Sequence, residues 1–198
     1  MNSIEPGSRI SRRSVLVGLA SILSGLPSIL SFAGSRRFAK KFDAQYELAV
    51  DFEIATQDGF RVRRPYVAVW LETLEGKPVR TLSLWVQSGR KGPRWLPDLR
   101  RWYRDDQTRT QSEGVDLIQT VSSPTREAGK YSVIWDGKDD KGRFIDQGEY
   151  TLLIEAARQH GTYQLMTERL KIETRPFKAT LSGNVEIKGA SVEFRKRK

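Results

Sequence analysis

The chain has 198 residues and a net charge of +10, from 34 lysines and arginines against 24 aspartates and glutamates, which permits an anionic partner. It contains no cysteine, so disulfides, thiolate metal sites and cysteine nucleophiles are excluded. It contains one histidine, which leaves almost no possibility of a metal site built from several histidines or of a recognisable Ser-His-Asp triad. The 38% share of hydrophobic residues suits one small globular β domain with a targeting segment rather than a disordered chain.

Residues 1–33 are typical of a twin-arginine export signal. The pair Arg12-Arg13 precedes an apolar segment, 15–33, that serines, glycines and a proline dilute, and small residues at 31 and 33 precede a cleavage point. The alternative is an uncleaved anchor, because the segment is just long enough to span a membrane. We expect cleavage, a periplasmic domain that contacts the membrane only if the signal stays uncleaved, and a solvated basic linker at 34–44.

The first strands of the domain are predicted by alternation. Apolar and polar residues alternate over 46–54, which indicates a strand with one buried face. Residues 66–71 are apolar on both faces and predict a central strand, and the turn at 75–78 joins it to a third strand, 79–86.

Basic and aromatic residues interleave between residues 90 and 104, and Pro97 predicts a short helix over 97–104. We favour a helix that packs its apolar residues on the sandwich and leaves its arginines in solvent. The alternative is a stacking and charge surface for an anionic ligand or an acidic partner. Export argues against nucleic acid. That surface would comprise Arg94, Trp95, Arg100, Arg101 and Arg104.

Residues 131–135 and 150–156 predict two strands that form a hairpin around Asp136-Gly137. The acidic connection at 136–142 invites a calcium loop. Lys138 occupies a ligand position, however, and Glu149 has no helix to lie on, so we favour a plain turn and expect no metal.

The C-terminal part predicts a strand over 164–172 and a last pair, 185–187 with 192–194. His160 ends the preceding strand beside Gly161. A hydrogen-bonded structural role is favoured, and metal or haem ligation or a pH response is the alternative. The short strands and frequent turns predict an all-β fold over 45–198, an immunoglobulin-like antiparallel β-sandwich with one or two short helices.

Three separated motifs resemble the DUF2271 family of predicted periplasmic proteins, which has no established function. They are Arg-Pro-Tyr-Val-Ala-Val-Trp at 64–70, Arg-Trp-Leu-Pro-Asp-Leu at 94–99 and Glu-Ala-Ala-Arg-Gln-His-Gly at 155–161. The Trp-Asp-Gly stretch at 135–137, with Gly148 and Tyr150 following, is similar to the immunoglobulin-like domain of flagellar hook-capping proteins.

Relatives in this family are found alongside flavin transferases and PepSY-type membrane reductases, which implies electron transfer outside the cytoplasm. The stretch 122–125 resembles a flavin-attachment motif whose last threonine, here Thr125, receives FMN through a phosphoester bond. Gln119, Ser123 and Pro124 depart from that motif, and Pro124 lacks an N–H and fixes φ. We therefore expect a loop here and Thr125 to be a poor acceptor.

Together, these patterns predict an exported, non-enzymatic binding or accessory protein without a cofactor. Its expected partner is a PepSY-type membrane reductase or another envelope protein of a periplasmic redox or metal-uptake system. The alternatives are a flavin-carrying electron-transfer protein with FMN on Thr125 and a structural or adhesion module. The candidate partner-binding residues are Arg94, Trp95, Arg100, Arg101, Arg104 and His160.

Overall fold

The structure is a computed structural model that describes residues 39–59, 62–87, 94–114 and 116–197, with only the backbone of residues 112 and 113. The predicted signal, 1–33, lies outside the described residues, and so do Arg90 and Lys91 of the basic stretch. No helix within the described ranges is long and apolar enough to cross a membrane.

Two β-sheets pack face to face. The larger sheet has the strand order β4-β3-β2-β6-β7 and the smaller one β5-β1-β9-β8, and the pairing of β3 with β4 is parallel. The predicted all-β sandwich with short helices is confirmed, whereas its immunoglobulin-like character stays a prediction. The strands are β1 (Tyr46–Ile54), β2 (Tyr66–Thr73), β3 (Pro78–Val86), β4 (Ser122–Pro124), β5 (Gly129–Trp135), β6 (Gly148–Ala157), β7 (Tyr163–Ile172), β8 (Phe177–Ser182) and β9 (Ile187–Lys196).

The predicted strands near the start of the domain are confirmed, and their patterns explain their places. In β1, Leu48, Val50 and Phe52 are buried between the sheets while Asp51 on the opposite face is exposed. β2 pairs with β3 on one side and β6 on the other, and its residues 66–72 are all buried. A strand that is apolar on both faces must pack against another layer on each face. One face of β2 packs against the smaller sheet, and the other packs against helices.

That helical cover comprises a 3₁₀ helix (Leu96–Asp98), α1 (Arg100–Glu113) and α2 (Leu117–Val121). Leu96, Leu99 and Trp102 are buried in a second core on the outer face of the larger sheet. The helix predicted over 97–104 is correctly placed but too short. α1 continues to Gly114, whose positive φ of 67° ends it with the left-handed conformation that glycine adopts readily.

The predicted hairpin at 131–156 is wrong. β5 pairs with β1 in the smaller sheet, whereas β6 pairs with β2 and β7 in the larger one. The connection at 136–147 therefore crosses between sheets. Trp135 is 1% exposed, and its Nε1 donates to the carbonyl of Lys138 at 2.7 Å, which fixes the start of the crossing.

The predicted C-terminal pair is also wrong, because residues 187–196 form one strand, β9. Its partners are β1 and β8, and the sequence analysis does not predict β8. Gly183 makes the tight turn between β8 and β9, since a Cβ at this position would lie 1.9 Å from the carbonyl carbon of Lys188.

The predicted basic linker ends before residue 42. Phe42 is buried in the core, its N–H donates to the carbonyl of Ile145 at 2.8 Å, and its ring centre lies 5.4 Å from that of Trp135. Gly137 leaves room for this ring, because a Cβ there would lie 2.1 Å from it.

Candidate functional site

The three motif segments, far apart in the sequence, meet at one end of the larger sheet. Tyr66 at the start of β2 pairs with Ala157 at the end of β6, and Ala157 also pairs with Tyr163 at the start of β7. The 94–99 segment covers this end, because Leu96 and Leu99 lie in the same core as Tyr66. We call this region the motif end.

An aromatic–basic cluster lies on the motif end. The rings of Trp95 and His160 are in an edge contact with centres 5.2 Å apart, the Arg94 guanidinium lies 5.3 Å from the Trp95 ring, and that of Arg100 lies 4.7 Å from the Tyr163 ring. These five residues are the aromatic–basic cluster. Four of them, Trp95, Arg100, His160 and Tyr163, line a pocket of about 200 Å³, which Asp98, Arg158 and Thr162 also line.

The cluster presents positive charge to solvent. Arg94 and Arg100 are exposed, and within the described part of the chain neither forms an ion pair with a carboxylate. Burial, together with the nearby Glu155 charge, raises the pKa of Tyr163 to about 12, so its hydroxyl stays protonated. The arrangement suits an anionic group, which would contact the guanidinium groups and the ring edges.

A buried carboxylate beneath the cluster holds the start of α1. Glu155 is fully buried, its Oε1 accepts from the N–H of Arg101 at 2.9 Å, and its Oε2 accepts from the N–H of Trp102 at 2.8 Å. The residue before α1, Leu99, has no side-chain cap, so a strand residue supplies the cap instead. Burial raises the pKa of Glu155, although the two amide hydrogen bonds act in the opposite direction.

Two of the predicted site residues lie apart from the cluster. Arg101 donates to Oε2 of Glu72 at 2.6 Å and forms an ion pair with Asp105. The charge of Arg101 is therefore paired within the fold. Arg104 is 68% exposed at its side chain, with its Nε 3.6 Å from Asp105. The structure thus brings together Arg94, Trp95, Arg100 and His160 and separates them from Arg101 and Arg104.

Glu72 is a buried acid that sequence reasoning missed. Its carboxylate accepts from Trp70 Nε1 at 2.7 Å and pairs with Arg101, while the carboxylate of Asp105 lies nearby. Burial raises the pKa of Glu72 to about 7. Its only signal in the sequence is an acidic residue near the end of an otherwise apolar strand.

His160 lies in the turn after β6 with a positive φ of 55°, where the N–H of Gly161 donates to the carbonyl of Arg158 at 3.0 Å. Its ring is exposed and contacts Trp95. The described ranges hold no group of three or more His, Cys, Asp or Glu side chains that could share a metal ion.

Thr125 lies beside a second pocket of the motif end, also of about 200 Å³. It is half-buried, and its N–H donates to the carbonyl of Val86 at 3.1 Å. Pockets that enclose a cofactor are typically about 300–1,000 Å³. The pocket beside Thr125 is smaller than that range.

A larger cleft, of about 1000 Å³, lies between the β2–β3 turn, α1 and the 139–146 loop. Its acids already have partners: Asp139 Oδ1 accepts from the N–H of Arg143 at 2.8 Å, and Asp140 Oδ1 accepts from the N–H of Thr81 at 3.1 Å. These hydrogen bonds shape the loop, as turn carboxylates commonly do. Lysines and arginines also line the cleft, so it favours neither sign of charge.

A model of the DUF2271 family, described as a predicted periplasmic protein, matches residues 47–189. The match includes all three segments that form the motif end. No curated protein and no solved structure matches the chain.

Proposed function

Because the chain belongs to the DUF2271 family of predicted periplasmic proteins, we propose that it is a non-enzymatic binding protein of the periplasm. In this proposal it is exported by the twin-arginine route, carries an immunoglobulin-like sandwich, and docks an acidic partner on the aromatic–basic cluster. The observation that carries the proposal is the pair of exposed arginines held over aromatic rings beside a pocket.

The geometry of the cluster supports binding in three ways. The guanidinium groups of Arg94 and Arg100 already contact aromatic rings, so these two side chains lose less conformational freedom when a partner binds. Trp95 and Tyr163 offer large rigid surfaces of the kind that contribute most at protein interfaces. Glu155 anchors the adjacent start of α1, so the cluster lies on a fixed support.

The proposed partner is a membrane-bound oxidoreductase with an acidic periplasmic face. The domain that remains after cleavage at residue 33 has a net charge of +8, which favours such a partner over long range, and the cluster provides a local contact. This partner class follows from the family resemblance and complements the charge of the cluster.

The test is capture from detergent-solubilised membranes, followed by mass spectrometry. The double variant Arg94→Glu with Arg100→Glu reverses the charge of the cluster. Its stability should stay within about 1 kcal/mol of wild type, because the two side chains are exposed. The matched control, Lys130→Glu with Lys178→Glu, makes the same charge change at exposed positions on the smaller sheet.

We expect a membrane oxidoreductase to be enriched by wild type and by the control but not by the cluster variant, with the difference largest at low salt. Equal capture by the cluster variant would place the docking face elsewhere. Loss of capture in both variants would mean that net charge alone attracts the partner.

The two alternative functions stay predictions with simple tests. FMN on Thr125 would add a fixed mass to protein purified from the periplasm, and Thr125→Ala would remove it. A structural or adhesion role would show as binding of cell-surface material that the cluster variant retains.

A further inference from the structure

His160 lies beside the pocket of the aromatic–basic cluster, on a turn that backbone hydrogen bonds hold in place. The N–H of Arg158 donates to the carbonyl of Thr162 at 3.1 Å, and the N–H of Gly161 donates to the carbonyl of Arg158 at 3.0 Å. The imidazole ring is exposed, and its edge contact with the Trp95 ring orients it. A titratable group is therefore held at the surface on which the partner is proposed to dock.

Two exposed guanidinium groups, those of Arg94 and Arg100, belong to the same cluster as His160. One half-buried carboxylate, that of Asp98, lines the same pocket. Tyr163 stays protonated, because burial raises its pKa to about 12. A positive charge on His160 would therefore add to two others, with one carboxylate to offset the three.

The other charged groups around this turn lie below it or on its far side. Arg158 pairs with the buried carboxylate of Glu186 at 2.8 Å. The buried carboxylate of Glu155, beneath the cluster, accepts two hydrogen bonds from the start of α1. On the far side of the turn lie Arg63 and the ion pair of Arg64 with Glu127.

From this arrangement we infer that the aromatic–basic cluster takes up a proton on His160 when it binds an acidic partner. The inference rests on the proposed function, because it concerns the same docking surface. Histidine is the side chain that ordinarily changes charge between about pH 5 and 8. The guanidinium groups of the cluster repel a charged ring, whereas a carboxylate bound among them attracts it. The bound partner thus meets three positive groups: Arg94, Arg100 and protonated His160.

Protonation and docking therefore strengthen each other. If a proton on His160 raises the affinity for the partner by some factor, the partner raises the affinity of the ring for the proton by the same factor. One exposed ion pair changes binding by a few-fold, so we expect the affinity for an acidic segment to be about three- to tenfold higher at pH 5.5 than at pH 8.

The experiment uses N-acetylated hexaglutamate as the acidic probe, because its blocked N-terminus has no amine that titrates near pH 8. The protein is purified without a histidine tag, so His160 is its only histidine. Calorimetry at low salt gives the affinity at about pH 5.5 and pH 8. Titrations near pH 7 in two buffers of different ionisation enthalpy give the proton uptake, for which we expect a measurable fraction of one proton.

His160→Asn is the matched variant. It removes the titrating ring and suits the turn, because asparagine readily adopts the left-handed backbone conformation that His160 has, with a φ of 55°. Its affinity should change less with pH than that of wild type, and its proton uptake should be smaller. The pKa of Glu72 is also about 7, but Glu72 does not line this pocket and is present in both proteins, so their difference isolates His160.

The possible outcomes separate this inference from the proposed function. The double variant Arg94→Glu with Arg100→Glu shows whether the probe binds at the cluster. Cluster-dependent binding with the same pH dependence and proton uptake in wild type and His160→Asn would overturn the inference and leave the docking surface intact. Absence of cluster-dependent binding at both pH values would contradict the docking surface itself, and the inference would fall with it.

Discussion

Trp135 is buried in the core between the two sheets, at the point where the chain leaves β5. Its ring contacts that of Phe42, and its indole N–H closes the first turn of the crossing loop. One side chain therefore joins the start of the domain, the smaller sheet and the connection to the larger sheet. We therefore expect that neither a smaller nor a polar residue can replace Trp135 without loss of stability.

Replacing this ring tests its role. Trp135→Ala should lower the free energy of unfolding by about 3–5 kcal/mol, because it leaves a cavity and removes the hydrogen bond to Lys138. The neighbouring Ile134 points the other way and is 60% exposed, so Ile134→Ala is the control and should change stability by less than about 0.5 kcal/mol. Urea denaturation measures both, and equal stabilities would mean that the ring does not anchor the core.

Glu72 gives a second prediction at the level of one residue. Burial raises its pKa to about 7 from the ordinary 4.5, with the carboxylate of Asp105 adding to the rise and Arg101 opposing it. An acid whose pKa is higher in the folded state stabilises the fold below the unfolded pKa, and this contribution is lost as the pH rises through 7.

Between about pH 4.5 and 7, therefore, the free energy of unfolding of wild type should fall relative to that of Glu72→Gln. The glutamine keeps an acceptor for Trp70 but does not titrate. Thermal unfolding of both proteins across this range measures the difference, and a constant difference would contradict the raised pKa.

At the scale of elements, α1 is attached to the larger sheet through the Glu155 carboxylate rather than through a capping residue of its own. Its middle is fixed by polar contacts, since Asp106 and Arg109 are buried and Arg109 also contacts Asp140. A polar sequence thus forms a long helix because the sheet and the crossing loop supply its partners.

Weakening the cap should release this attachment. Glu155→Gln leaves one acceptor for two backbone N–H groups and should lower the free energy of unfolding by about 0.5–2 kcal/mol. Glu149→Gln, at an exposed position on the same strand, is the control and should have little effect. Chemical denaturation checks both, and hydrogen exchange of the Arg101 and Trp102 amides should be faster only in Glu155→Gln.

The elements predicted correctly are those whose pattern is local. β1 and β2 have clear alternation or continuous apolar character, and both were predicted from it. β8 also has a local alternation, of Phe177, Ala179 and Leu181, although it is not among the predicted strands. The hairpin was misassigned for a different reason: strands 131–135 and 150–156 have the same local pattern whether they pair with each other or with strands elsewhere.

The candidate site was predictable in its residue types and not in its geometry. Arg94, Trp95 and Arg100 are predicted from the interleaving of basic and aromatic residues over 90–104, and His160 from its place in one of the family motifs. Their proximity depends on the pairing of β2 with β6, which no local pattern reveals. The role of Arg101 was equally hidden, because its partner Glu72 is distant in sequence.

At the scale of the whole molecule, export is predicted to depend on an arginine pair that lies outside the described residues. Arg12→Lys with Arg13→Lys keeps the charge but changes the recognition group, so the protein should remain in the cytoplasm. Arg36→Lys with Arg37→Lys, in the predicted linker, is the matched control and should leave export unchanged. Cell fractionation distinguishes them, and a normal periplasmic yield from the first variant would exclude the twin-arginine route.

The pairing of β1 with β9 determines when the protein can fold. Leu48 lies opposite Phe194, so the first strand of the domain obtains one of its two neighbours from a strand far away in the sequence. During synthesis β1 therefore keeps an unpaired edge until the residues of β9 have left the ribosome. Contacts of such long sequence separation make folding slow, and a nascent chain that is cut short before residue 187 would leave β1 open to pairing with other chains.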